Sequence, residues 1–525
     1  MTGAPLTHSA KLLAPDFTSP DLAAALAALP AQIADVTASS REARRGSGFL
    51  AYRGATRDGR DFIPDAIARG VSAVLYDPAN FAWNGDWKVP CLAVPNLKAH
   101  ASRIAGHIYG HPADVLWMTG VTGTNGKTSV AQWIAQGLES AGRKSAVLGT
   151  IGNGLVGKDR GQLEPSDTTT PDAVVLQRRL HDYVKLGAVA CAMEVSSHGL
   201  DQGRVADIKF DVAVYTNLTR DHLDYHATMD AYGEAKAKLF AMPGLKHAVI
   251  NADDAFGQEL IRRITAAGNS DLRLIRTSTR QNGQGNINGQ SGRGADLVAE
   301  QLSVSAAGLA FEIGGKFGRA SVESDILGAF NVSNLLQVIA ALIASGISLE
   351  EAAVIACKLP PVPGRMQTVR SSDRNKPLVV VDYAHTPDAL EKALSTIAAI
   401  VPENGRLISV FGCGGDRDRG KRPQMGGISA CYADLSIVTS DNPRTENPQR
   451  IIEDIEAGMK GATSRSIPDR QQAIFEALNE ARAGDIVVIA GKGHEEYQII
   501  GETKLHFSDV EIAQEALDTW HGASR

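Results

Sequence analysis

Val115-Leu-Trp-Met-Thr-Gly-Val-Thr-Gly-Thr-Asn-Gly-Lys-Thr-Ser129 decides how the 525-residue chain is read. A short apolar run enters a glycine-rich turn that ends in Lys127-Thr128. Val130, Trp133, Ile134 and Leu138 then recur at helical spacing. The stretch therefore reads as strand, loop and helix. Such a loop aims backbone N–H groups and a helix N-terminus at an anion. Gly123, Thr124, Asn125, Gly126, Lys127, Thr128 and Ser129 are the candidate phosphate-binding residues, with Lys127 reaching the terminal phosphates and the Thr128 hydroxyl available to Mg²⁺. One position departs from the G-x-x-x-x-G-K-[ST] pattern. Val121 stands where a glycine belongs, and the glycines fall at 120, 123 and 126.

Around this stretch, further apolar runs at 188–195 and 211–216 end in polar residues. Near-continuous apolar strands between helical segments predict a parallel sheet covered on both faces. Glu194 closes one such strand, where open α/β sheets bind ligands, and is placed to hold Mg²⁺. Asp221, His222, Asp224 and His226 cluster after the other, at a spacing that matches neither zincins nor zinc fingers. On chemistry alone, Lys236 and Lys238 read as surface lysines of a helix. Residues 280–296, rich in Gly, Asn and Gln, read as an exposed excursion. Asn331–Ser345 is helical in pattern.

The length predicts about three domains. Residues 1–112 alternate short strand-like and helix-like pieces, 113–359 carry the phosphate loop, and 360–525 alternate strands and helices again. The predicted class is α/β throughout: a small N-terminal α/β domain, a central P-loop-type parallel-sheet domain and a Rossmann-like C-terminal domain. Pro360-Pro-Val-Pro-Gly364 reads as a hinge linker, through which the central and C-terminal domains would approach one another. The net charge of −6 offers no basic footprint for nucleic acid. No apolar run reaches the length of a membrane span. Five scattered cysteines without a C-x-x-C pair predict reduced thiols and a cytoplasmic location, with Cys191 and Cys357 in the core.

Gly120–Thr128, Thr168-Thr-Thr-Pro171, Glu194-Val-Ser-Ser-His-Gly-Leu200, Asp221-His-Leu-Asp-Tyr-His226, Asn331-Val-Ser-Asn334 and Pro363-Gly-Arg365, taken in order, resemble the ATP-dependent Mur ligases of peptidoglycan synthesis. The resemblance implies ATP as co-substrate, Mg²⁺ as cofactor, small-molecule substrates and a monomer. It implies that Thr128, Glu194 and His222 hold metal, and that Lys236 is carbamylated and joins them. It places Asn331, Asn334, Arg365 and Asp382 at the nucleotide. Ser39-Ser-Arg41, with Ser39 where the family usually has Asp, resembles the segment that receives a UDP-linked precursor, and Ser40 is the residue carried over. Thr169, Thr170, Ser196, Gln202 and Arg204 match positions that hold the rest of that precursor. Asp441-Asn-Pro-Arg444 resembles the signature of the branch that adds meso-diaminopimelate. Arg417, Asp441, Asn442, Pro443, Arg444, Gly491 and Glu495 match its pocket. A guanidinium at 444 suits the distal carboxylate that L-lysine lacks. The competing expectations are an L-lysine-adding ligase, another amide ligase of the superfamily such as a folylpolyglutamate synthase, and a nucleotide-dependent switch that makes no amide.

Overall fold

The structure, a computed structural model, describes residues 11–14, 16–54, 57–157, 163–166, 168–279, 294–371, 373 and 375–521. Residues 280–293 of the expected excursion lie outside the described residues. The chain forms two compact units, residues 1–276 with 340–346, and residues 277–339 with 347–525.

The first unit holds two sheets. Strands Lys11–Leu12, Cys91–Ala93, Ala73–Tyr76, Ser47–Ala51 and Asp35–Thr37 lie side by side in that order, all parallel. Alternate residues feed opposite faces. Leu50 and Leu75 enter one core, Phe49, Ala51, Val74 and Tyr76 the other. The second sheet runs His247–Asn251, Val212–Tyr215, Trp117–Thr122, Ala190–Glu194, Ser145–Leu148 and the antiparallel Asn153–Leu155. Trp117–Thr122 is the first of these in sequence yet lies inside the sheet, so the chain winds outward on both sides of it. The carboxyl ends of its strands thus open a crevice at a topological switch point. The strand begins at Trp117 rather than Val115, because Pro112–Val115 forms a short helix with proline at its start.

In the second unit, Gln367–Val369 pairs antiparallel with the edge of a parallel sheet ordered Leu378–Asp382, Ile486–Ala490, Leu407–Phe411, Leu435–Val438 and Ser464–Ser466. Its strands are apolar on both faces. Val380, Val488 and Phe411 enter one core, while Val379, Val381, Val487, Ile489 and Val410 enter the other. This is the doubly covered pattern expected from the near-continuous apolar runs.

The hinge expected at 360–364 is tied down at its end. Gly364, at φ +65°, packs so tightly on the loop after Ile486–Ala490 that a Cβ would stand 2.1 Å from the His494 backbone nitrogen. Cys191 is buried as expected, but Cys357 is only half-buried. It stands in the last turn of helix Leu349–Lys358, and its sulfur accepts from the Glu323 backbone N–H. Among the described residues no helix is long and apolar enough to cross a membrane.

Candidate active site

The glycines at 120, 123 and 126 turn out to have separate tasks. Gly120 is still strand, where a Cβ would press on Phe210 at 2.9 Å. Gly123 adopts φ +145°, and a Cβ there would collide with Thr216 Oγ1 at 1.8 Å. Gly126, at φ +84°, turns the chain into helix Lys127–Ser140. The loop is braced from the next strand end. Thr216 Oγ1 donates to Asn125 O (2.6 Å), and the Asn125 N–H donates to Asn217 Oδ1 (3.0 Å). Lys127 folds back over the loop, donating to Gly123 O (3.0 Å) and Thr124 O (2.8 Å).

The sheet register sets Val121 opposite Glu194, so this carboxylate emerges beside the root of the loop. Glu194 is 2% exposed. It accepts from Thr128 Oγ1 (2.9 Å), the Thr150 N–H (2.6 Å) and Thr150 Oγ1 (3.3 Å). From its backbone the network continues. Thr170 Oγ1 donates to Glu194 O (2.9 Å) and accepts from the Ser196 N–H (2.9 Å). The Arg204 guanidinium donates to Thr170 O (2.8 Å) and to Gln202 Oε1 (2.7 and 3.0 Å). Thr169 joins through Thr150 (3.2 Å). Five of the six expected precursor-binding residues thus form one bonded network with Glu194. Ser40 stands in the turn after Asp35–Thr37, on the other sheet.

Lys236 is not the surface lysine its helix suggested. It ends the buried side of helix Met229–Ala237 and is 1% exposed, whereas Lys238 is exposed and pairs with Asp201 (2.7 Å). Lys236 Nζ donates to Gly123 O (2.8 Å) and lies 4.2 Å from the centroid of the Tyr232 ring. Burial first, and the nearby Lys127 cation second, push its ammonium down to about 6, against the pull of Asp221. His222 sits at φ +53° beside Asp221 (3.6 Å), and burial lowers its imidazole below the usual range.

Thr128, Glu194, Lys127 and Lys236 therefore converge on one loop. The hydroxyl and carboxylate oxygens suit a hard cation such as Mg²⁺, which takes one or two carboxylates and completes its shell with water and phosphate. No cluster of three or more His, Cys, Asp or Glu side chains is placed to hold a metal among the described residues. Mg²⁺ on a nucleotide does not require one.

The second unit has its own candidate site, again at strand carboxyl ends. The loop after Leu435–Val438 brings Asp441, Asn442, Pro443 and Arg444 against Gly491 and Glu495, which follow Ile486–Ala490. Asn442 is the hub. Its Oδ1 accepts from Lys492 Nζ (3.0 Å) and the Ile499 N–H (2.9 Å), and its Nδ2 donates to Glu495 Oε2 (3.0 Å). Arg444 holds φ +51°, a left-handed conformation that costs about 1 kcal/mol in a non-glycine residue. Backbone bonds from Arg444 N–H to Ile499 O (3.1 Å) and from Gly501 N–H to Arg444 O (2.8 Å) enforce it. Its guanidinium donates to Gly415 O (2.9 Å), and Arg417 flanks the same loop, since a Cβ on Gly414 would lie 3.0 Å from Arg444 Nη1 and 3.7 Å from Arg417 Cγ.

Arg365 lies over the Tyr383 ring at 5.0 Å, with its Nε buried and without a hydrogen-bond partner among the described residues. Asp382 accepts from the Met366 N–H (2.7 Å), and burial raises its carboxyl. Asn331 and Asn334 are buried in helix Phe330–Ala344, where Asn334 Nδ2 donates to Asn331 Oδ1 (2.8 Å). Sequence reasoning passed over Thr150, Tyr232 and Lys492. Two signals reach them: Thr150 and Lys492 lie just beyond apolar strands, and Tyr232 lies one helical turn from Lys236.

Residues 32–109 match the family described as Mur ligase family, catalytic domain. Residues 121–342 match the Mur ligase middle domain, and 364–493 the Mur ligase, glutamate ligase domain. The chain belongs to the Mur ligase family. This Mur ligase is 50% identical over 486 residues to a UDP-N-acetylmuramoyl-L-alanyl-D-glutamate–2,6-diaminopimelate ligase of Chromobacterium violaceum, covering 92% of this chain and 94% of the relative. It is 46% identical over 481 residues to the protein of that name in Neisseria meningitidis serogroup B, covering 91% and 94%. A solved structure of a ligase of the same name matches with a TM-score of 0.68 at 39% identity, covering 94% of this Mur ligase and 96% of its own chain.

Proposed function

We infer that this protein is the ATP-dependent amide-bond ligase of peptidoglycan biosynthesis that joins meso-2,6-diaminopimelate to UDP-N-acetylmuramoyl-L-alanyl-D-glutamate. The observation that carries this reading is the bond network from Thr128 through Glu194 to Thr170, Ser196 and Arg204. It joins a phosphate-loop hydroxyl to a guanidinium suited to reading a carboxylate, as a reaction between ATP and a carboxylic acid requires.

In the first step a precursor carboxylate oxygen bonds to the γ-phosphorus of ATP. The bond from that phosphorus to the β,γ-bridging oxygen breaks, ADP leaves and an acyl phosphate remains. In the second step the lone pair of the amine forms the C–N bond, the C–O bond to phosphate breaks, and the amine loses its proton. Phosphoryl transfer demands positioning and charge neutralisation above all. The amides of Gly123–Ser129 and the Lys127 ammonium supply these at the phosphates. Asn331, Asn334, Arg365 and Asp382 line the nucleotide. Thr128, Glu194, His222 and the carbamate of Lys236 are the residues that would hold Mg²⁺, which when bound neutralises phosphate charge. A neutral Lys236 can receive CO₂, its nitrogen bonding the carbon with loss of a proton, and so becomes an anion. Ser40, Thr169, Thr170, Ser196, Gln202 and Arg204 bind the precursor. Arg417, Asp441, Asn442, Pro443, Arg444, Gly491 and Glu495 receive diaminopimelate, with Arg444 on its distal carboxylate. The division of labour we propose follows residues 1–112, 113–359 and 360–525, within a cytoplasmic monomer.

The test is to incubate the protein with ATP, Mg²⁺ and the precursor, adding meso-diaminopimelate, L-lysine or no amine, and to identify products by mass. The tripeptide should form with diaminopimelate and stoichiometric phosphate. Nucleotide binding without any amide product would reject the ligase. A lysine product would keep the reaction and reject the reading of Arg444.

A further inference from the structure

The amine pocket contains a cation that sequence reasoning did not single out. Lys492 is 0% exposed, and its Nζ stands 3.0 Å from Asn442 Oδ1, 3.5 Å from Asp441 Oδ1 and 3.7 Å from Glu495 Oε2. A buried ammonium is stable only when paired and hydrogen-bonded. Here both requirements are met by the very groups that face the substrate. The Arg470–Asp509 pair behind it is bidentate, fully buried and self-compensating, so it adds no net charge.

We infer that Lys492 is a specificity-determining positioning residue: its buried ammonium offsets one of the two pocket carboxylates, Asp441 and Glu495, so that together with Arg417 and Arg444 the pocket keeps an excess positive charge and selects a diamino dicarboxylic acid over a diamino monocarboxylic acid. This rests on the proposed function, and it concerns a residue that need not touch substrate at all.

Arg417, Arg444 and Lys492 are three cations against the two anions Asp441 and Glu495. Diaminopimelate carries two ammonium and two carboxylate groups and is neutral overall. L-lysine lacks one carboxylate and is a cation, which the surplus repels. Without Lys492 the pocket becomes neutral, and the Asp441 and Glu495 carboxylates lose the counter-ion they share. Such a site no longer repels the amine that carries the greater positive charge. Specificity here comes from a repulsive element as well as from the attraction of Arg444.

The experiment measures kcat and KM for meso-diaminopimelate and for L-lysine by phosphate release, with saturating ATP and precursor, in the full chain, Lys492→Met and the double variant Lys492→Met/Asp441→Asn. The ratio of kcat/KM for the two amines should fall at least about 10-fold in Lys492→Met, through KM, while KM for ATP stays unchanged. Removing the matching carboxylate in the double variant should restore most of the ratio. A purely structural lysine would lower both amines in parallel, and an unchanged ratio overturns the proposal. Glu495→Gln tests the same count without a new apolar group in the core. It should leave the ratio raised or unchanged, and a fall contradicts the account. A wild type with no preference for diaminopimelate would instead count against the proposed function.

Discussion

Two lysines, each at the heart of a candidate site, are almost equally hidden from water, yet their surroundings differ in charge. Lys236 donates to a backbone carbonyl, lies over the Tyr232 ring and has the Lys127 cation nearby. Lys492 sits among Asp441, Asn442 and Glu495. Burial pushes both ammoniums down; around Lys492 the Asp441 and Glu495 carboxylates pull back against Arg470, whereas around Lys236 the Lys127 cation outweighs Asp221 and the ammonium falls to about 6. Burial alone therefore does not say what a lysine does. In the roles proposed above, the balance of neighbouring charges separates a neutral nucleophile toward CO₂ from a fixed counter-ion.

The largest effect should come from the group that ties the first site together. Glu194→Ala removes the acceptor of Thr128 and Thr150, and phosphate release should fall on the order of 100–1,000-fold with both amine and precursor present. Near-normal turnover in Mg²⁺ would remove Glu194 from the metal site.

The next effect sharpens the comparison itself. Arg444→Met should raise KM for diaminopimelate roughly 10- to 100-fold and leave KM for ATP alone, since one charge-assisted pairing is lost. Equal losses for both substrates in steady-state kinetics would mean that Arg444 supports the fold rather than the amine.

A smaller and more particular effect concerns pH. Lys236 binds its proton more weakly folded than unfolded, so above about pH 6 the unfolded chain holds more protons, up to the ordinary lysine range. Stability should therefore rise with pH across that window and lose this contribution as pH falls through about 6. Denaturation of wild type and Lys236→Met compared from pH 5.5 to about 9 should show the wild type gaining on the variant as pH rises. Parallel curves would mean that Lys236 keeps an ordinary proton affinity.

Much of this was legible in the sequence. The apolar runs at Ala190–Glu194, Val212–Tyr215 and Ile486–Ala490 announced buried parallel strands, and polar residues at their ends pointed to the candidate sites. What stayed hidden depends on chain segments far apart in sequence. Lys492 stands at a strand end, but its burial shows only once Asp441, Asn442 and Glu495 are brought around it. Helix Met229–Ala237 carries little apolar pattern, and only Tyr232 and the phosphate loop make Lys236 a buried residue. Cys357 misled in the other direction, because an apolar run at a helix end need not reach the core. Ser40, by contrast, rests on resemblance alone, and nothing in the chemistry of its turn would have singled it out.

The most direct test of the central claim is carbon-13 NMR of the full chain in ¹³C-bicarbonate. The account predicts a carbamate resonance in wild type and in Lys492→Met that vanishes in Lys236→Met. No carbamate in wild type, or a signal that survives Lys236→Met, would contradict it.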